Sequence, residues 1–313
     1  MKRILSIVLT VMLFVMGGCG SEPQAKEQKL SKLTIGLMPD TDSIPFIIAA
    51  EYGYFAEEGL EIELIPFKSA MERDAALQSG SLDGAVSDLL AVIFARSGGF
   101  SVYATSYTDG SYNLVAGGNT GIASAADLRG KEIAISRNTI IEYVTDEILA
   151  VNGVGEKDVS KVVIPQIPVR LEMLQSGNLA AAVLPEPMAS VAEFSGSRYV
   201  TGSGDLGINP GVIVFTDSAI KDKEQSIRAM YRAYDKAANY LNNTPRADYI
   251  DLIMERSGFP GPARDALVLK PYRFAGLPAE KDVDEAVRWV KNKGLTGDYR
   301  YDELVSKLLT EGK

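Results

Sequence analysis

One stretch of the chain occurs twice. Arg73-x-x-x-Leu77-Gln78-Ser79-Gly80-x-Leu82-x-x-Ala85-Val86 returns as Arg170-x-x-x-Leu174-Gln175-Ser176-Gly177-x-Leu179-x-x-Ala182-Val183, 97 residues later at every matched position. Each copy reads as the end of an amphipathic helix, a Gly that closes it in the left-handed conformation, and a short buried strand. An apolar run ending in Pro precedes each copy, Leu64-Ile65-Pro66 and Val163-Ile164-Pro165. The full unit is therefore strand, helix, strand, with its two strands parallel. A spacing this wide is too long for a solenoid and fits two similar α/β lobes.

The rest of the chain extends this layout. Leu33–Met38 alternates and carries β-formers, a polar turn follows at Pro39–Ser43, and Ile44–Phe55 reads as a helix. Strands are expected at Glu61–Phe67, Asp83–Val86, Ser101–Tyr107 and Tyr112–Ala116, with a helix opened by Ser87-Asp88. The pattern restarts at the Asp127–Lys131 turn with a strand over Glu132–Ser136 and a helix over Thr139–Val151. Pro185-Glu186-Pro187 starts another helix, and Gly211–Phe215 is an apolar strand. Asp222–Leu241 is a helix with Ile227, Met230, Tyr231, Tyr234, Ala238 and Leu241 on one face. Beyond it the chain carries helical signals only, and this tail is expected on the first lobe. Residues 32–115 and 210–313 then form lobe 1, and residues 116–209 form lobe 2. The chain crosses between lobes twice, which makes a hinge with a cleft.

Composition excludes several classes of function. The formal net charge is −9 and no window mixes Lys and Arg with aromatics, so nucleic acid is not an expected partner. The chain has no His and a single Cys, which removes Ser-His-Asp and Cys-His nucleophiles, His-based metal sites and internal disulfides. No metal or cofactor is expected. At the amino end, Lys2-Arg3, an apolar run from Ile4 to Met16 and Gly17-Gly18-Cys19 read as a secretory signal over residues 1–18. The small residues ending at Cys19 look like a bacterial lipoprotein signal, with Cys19 lipidated, residues 19–31 as a polar tether and the membrane as a partner through that anchor.

Pro45-Phe46, Ala49-Ala50-Glu51, Gly53-Tyr54-Phe55-Ala56-Glu57-Glu58-Gly59-Leu60 and Glu61-Ile62-Glu63-Leu64 together resemble solute-binding proteins of ABC importers in the nitrate, sulfonate, taurine and thiamine-pyrimidine-precursor group. Asp127-Leu128-Arg129-Gly130-Lys131 and Leu174-Gln175-Ser176-Gly177 are similar to the same group. The resemblance implies a two-lobed α/β fold of the type II periplasmic-binding-protein kind. It also implies closure around a small organic molecule, and partnership with an ABC permease and its ATPase outside the cytoplasm. The alternative on the same fold is a small-molecule enzyme of the pyrimidine-synthase or menaquinone-pathway type.

In α/β lobes ligands gather where strands end and helices begin, because backbone N–H groups and the helix dipole point outward there. That rule nominates Asp40, Ser43, Ser69, Ser87, Asp88, Arg137, Asn138, Thr139 and Glu186 for ligand binding, with Phe46 as a stacking ring. Most have a structural alternative: Asp88 as a helix N-cap, Glu186 as a carboxylate at a helix start, Phe46 as core. Charge in these loops, with Asp40, Asp42, Asp88 and Glu186 against Arg137, favours a neutral or cationic heterocycle over an alkanesulfonate.

Overall fold

The computed structural model describes residues 30–295 and 297–310. Cys19 and the expected signal segment lie outside these residues. Among the described residues ten strands appear in chain order: β1 (Leu33–Leu37), β2 (Ile62–Pro66), β3 (Gly84–Asp88), β4 (Val102–Tyr107), β5 (Tyr112–Ala116), β6 (Glu132–Ile135), β7 (Ser160–Val163), β8 (Ala181–Pro185), β9 (Arg198–Gly202) and β10 (Gly211–Thr216). They form two five-stranded sheets of identical design, β2-β1-β3-β10-β4 and β7-β6-β8-β5-β9. In each, three parallel strands are joined by one antiparallel strand that has just crossed from the other lobe, β10 in lobe 1 and β5 in lobe 2.

The repeat is the second half of each parallel set. Its helices are Ala70–Gln78 and Ile167–Gln175, closed by Gly80 and Gly177 at φ 78° and 76°. Left-handed backbone of that kind suits Gly because no Cβ meets the following carbonyl. The strands that follow, β3 and β8, are buried along their whole length, as strands covered on both faces must be.

Two expectations are corrected. Tyr112–Ala116 belongs to lobe 2, because β5 hydrogen-bonds β8 and β9; the first crossing is therefore 108–111 and the boundary precedes residue 115. The tail does not rest on lobe 1 alone. Helix Glu224–Asn243 buries the expected apolar face against helix Ile44–Glu51 of lobe 1, but helix Ala263–Ala266 packs on helix Met188–Phe194 of lobe 2. Helix Glu280–Asn292 touches both lobes: it packs on helix Leu89–Ser97, and its Trp289 Nε1 donates to Asp146 of lobe 2 at 3.1 Å. Periodicity marks which face of a helix is apolar but not which lobe that face will cover.

The lobes meet. Ile167 N donates to Lys68 O at 3.0 Å, so the starts of the two repeat helices touch across the cleft, and Thr41 N donates to Glu186 O at 2.9 Å. Near the crossings Asp42 Oδ2 accepts from Thr108 Oγ1 at 2.9 Å and Tyr112 Oη at 3.1 Å. A Cβ on Gly110 would run into the Asp42 carboxylate, which fixes Gly at that point of the first crossing.

Candidate functional site

Strand ends and helix starts of both lobes converge on a narrow cavity of about 30 Å³ between the lobes. Lobe 1 contributes Met38, Asp40, Ala70, Arg73, Ser87 and Asp88 to its wall. Lobe 2 contributes Ser136, Thr139, Ile141, Pro165, Arg170 and Pro185. Enclosure between two α/β layers at their strand ends is where this architecture places ligands.

The most informative wall residues are the arginines that open the two copies of the repeat. Both stand at the fourth position of their helices; Arg73 reaches the end of the following strand, donating to Val86 O at 3.4 Å, whereas Arg170 reaches back to the residues just after the preceding strand. Arg73 is 3% exposed; its Nη2 lies 2.8 Å from Asp74 and 3.5 Å from Asp88, and its Nε donates to Asp74. Arg170 is 1% exposed and donates through Nη1 to the carbonyls of Ile164 and Pro165 at 2.8 and 2.9 Å. Among the described residues no carboxylate lies within ion-pair distance of it, and its Nε has no partner. Burial pushes the Arg170 guanidinium down to about 9. Position by position, the repeat explains the difference: where lobe 1 has Asp74 and Asp88, lobe 2 has Leu171 and Pro185. A cation buried without a counter-charge is costly, and an anion from outside removes that cost.

Several expected residues meet at this cavity. Asp40, Ser87, Asp88 and Thr139 line it. Asp40 accepts one long hydrogen bond from Ser43 Oγ, 3.3 Å, and burial together with the neighbouring Asp42 holds its carboxyl well above the usual range. Ser87 Oγ is buried without a partner. Asp88 both caps helix Leu89–Ser97 through Ala91 N and faces Arg73, and burial pushes its carboxyl up despite that arginine. Thr139 caps helix Ile140–Val151, accepting from Ile141 N.

The others stand elsewhere. Ser43 and Ser69 are buried beside the cavity, where Ser43 holds Met38 N and Ser69 caps its helix. Phe46 lies in the core of lobe 1, edge-on to Tyr234 at 5.4 Å, because an apolar helix face turns inward and away from the cleft. Glu186 is engaged within lobe 2 by Asn113 Nδ2 at 2.7 Å and Ser190 Oγ at 2.7 Å, and it does not line the cavity. Arg137 and Asn138 are exposed at a wider outer groove, about 490 Å³, that adjoins the cavity through Ser136, Thr139 and Pro165. The charge argument built on Arg137 alone is overturned by Arg73 and Arg170. Both were missed because an Arg inside a helix is ordinarily solvated. Their recurrence at the same position of both copies was the available signal.

A family model described as NMT1/THI5 like matches residues 40–248, more than half of the chain. The chain belongs to the NMT1/THI5-like family. This NMT1/THI5-like protein is 24% identical over 260 residues to a Brachyspira hyodysenteriae protein named as an ABC transporter periplasmic binding protein, covering 78% of this chain and 75% of that one. Its fold is that of the alkanesulfonate-binding protein SsuA from Xanthomonas axonopodis pv. citri bound to MOPS, with a TM-score of 0.73 at 18% identity over 84% of this chain and 93% of that one. The desulfurization enzyme DSZB has the same fold, with a TM-score of 0.65 at 14% identity over 90% of this chain and 98% of that one. The fold is thus the two-lobed α/β fold of periplasmic binding proteins. Among the described residues no helix is long and apolar enough to cross a membrane.

Proposed function

We propose that this protein is the extracytoplasmic solute-binding component of an ABC importer, and that it captures an organic anion of the sulfonate class and delivers it to a permease. The observation that carries the reading is Arg170, a cation buried in the cleft with no carboxylate beside it among the described residues. The ABC-transporter relative and the alkanesulfonate-binding structure support the same class. Arg73 and Arg170 on the cavity wall, in place of Arg137, favour an anion over the heterocycle that loop charge alone suggests.

Binding works by closure. The cavity wall comes from both lobes, so a solute makes its full set of contacts only when the cleft is shut, and binding draws the population toward that form. Arg170 supplies planar N–H donors to an oxyanion, and low local dielectric strengthens each bond. A lipid on Cys19 would hold the protein near its permease. The non-enzymatic reading rests on the relative named for binding in transport; purified protein that converts a bound sulfonate to a new species would sink it. Titration calorimetry with short alkanesulfonates, paired with small-angle scattering, tests the proposal. Binding with compaction is expected, and no binding of any sulfonate overturns it.

A further inference from the structure

The cavity is narrow, about 30 Å³, so an oxyanion that reaches Arg170 on lobe 2 also comes up against the lobe 1 wall. Two polar groups stand open on that wall. Ser87 is 3% exposed and its Oγ has no partner. Asp40 is 6% exposed, has no cation within ion-pair distance among the described residues, and takes one side-chain hydrogen bond, from Ser43 Oγ to Oδ1 at 3.3 Å. Its surroundings are acidic. Asp42 lies buried in the same turn, with Asp109 near it, and Asp88 on β3 and Tyr112 on β5 line the same space. Behind the turn, Thr41 O accepts from Tyr272 Oη, and the Glu186 carboxylate is held by Asn113 and Ser190. The cations on the wall are Arg73, already shared by Asp74 and Asp88, and Arg170, which the anion takes. An ionised Asp40 would repel a second anion in this closed space, whereas a carboxylic acid there has an O–H to donate. Burial, and then Asp42, hold the Asp40 carboxyl on that protonated side.

We infer that Asp40 meets the solute's oxyanion as a carboxylic acid, donating its O–H beside the Ser87 hydroxyl, so that capture of the anion is coupled to a proton on Asp40. This rests on the anion reading above and adds the proton. The sign follows from linkage: affinity is complete below the pH at which Asp40 titrates in the free protein, and falls about tenfold per pH unit above it. Arg170 on one lobe and two neutral donors on the other then grip the same oxyanion, and only closure brings them together.

The test is calorimetry with propanesulfonate, a probe that does not itself titrate, from about pH 5 to about pH 9 in buffers of different ionisation heat. The wild type is expected to lose affinity as pH rises and to take up as much as one proton on binding. Asp40→Asn, whose amide also donates, is expected to bind without that loss, keeping only the fall that Arg170 imposes near its own value of about 9. Asp42→Asn should keep the loss and move it to lower pH, because the neighbouring charge is gone. Ser87→Ala should weaken binding at every pH with the slope unchanged. Identical pH profiles for the wild type and Asp40→Asn, or no proton uptake by the wild type at any pH, overturn the role of Asp40 and leave the anion reading standing. Absence of propanesulfonate binding at every pH overturns the anion reading itself. Proton uptake is read on the wild type, so it decides the matter even where Asp40→Asn fails to fold.

Discussion

Arg170 occupies in lobe 2 the place that Arg73 occupies in lobe 1, yet only Arg73 has carboxylates beside it, at 2.8 and 3.5 Å. Both copies of the repeat carry the cation, and only one carries the counter-ions, Asp74 and Asp88 against Leu171 and Pro185. Stability is given up in lobe 2, and an external anion can restore it.

Replacing that cation separates stability from binding. Arg170→Met removes a fully buried, unpaired charge, so the ligand-free protein is expected to gain about 1–2 kcal/mol and a few degrees in Tm. The gain is reduced by the Ile164 and Pro165 carbonyls, which lose their donor. Sulfonate affinity is expected to disappear. Thermal unfolding with and without ligand checks both; a large loss of Tm would show that Arg170 is a structural residue.

Arg73 should behave in the opposite way. Arg73→Met leaves Asp88, buried on the same wall, without its cation, and breaking a buried pair costs about 3–5 kcal/mol. Denaturant titration is expected to show a lower midpoint at unchanged slope. Equal effects of Arg73→Met and Arg170→Met would contradict the asymmetry between the two arginines.

Asp42 gives the protein a pH dependence of known sign. Burial raises its carboxyl from 3.8 to about 6, against the hydrogen bonds from Thr108 and Tyr112. A carboxyl raised in the folded state contributes stability that is fully present below the unfolded value and lost as pH rises through the folded one. The window here runs from about 4 to about 6, and the full effect is about 3 kcal/mol. Asp42→Asn removes this contribution, so its stability relative to wild type should climb across that window. A difference that is flat with pH counts against a raised Asp42.

The first crossing leaves no room for a side chain at Gly110, whose Cβ would meet the Asp42 carboxylate. Gly110→Ala is expected to cost about 1–3 kcal/mol, from overpacking against the buried Asp42 carboxylate. Combining it with Asp42→Ala, which clears the space, should recover part of the loss. A double-mutant cycle on unfolding free energies measures the coupling, and strict additivity would refute the contact.

Lys293 ties the tail to lobe 2, lying 2.7 Å from Asp146 and 2.6 Å from Glu156 at the end of a helix that also packs on lobe 1. Removing it by Lys293→Ala should favour the open form and weaken solute binding a few-fold, because closure must then proceed with fewer inter-lobe contacts. Scattering is expected to show a larger radius of gyration without ligand. Unchanged dimensions and affinity would mean that the tail moves with lobe 2 alone.

Much of this architecture was legible in the chain. The repeat is local: helix periodicity, Gly80 and Gly177 at φ above 70°, and apolar strands all follow from steric preference and burial, and these act between near neighbours. They determined two α/β lobes and which loops face the cleft, including Asp40, Ser87, Asp88 and Thr139. What the sequence left open was the direction of individual side chains and the partners they find across long separations. Phe46 turned to the core, Glu186 found Asn113 73 residues away, and Arg170 pointed into a closed space with no acid in reach. Whether a charge is solvated, paired or stranded depends on what packing brings within a few ångströms and on the dielectric it creates. The repeat wrote the same Arg twice; only the tertiary structure made one of them half of an ion pair and left the other buried with no carboxylate among the described residues in reach.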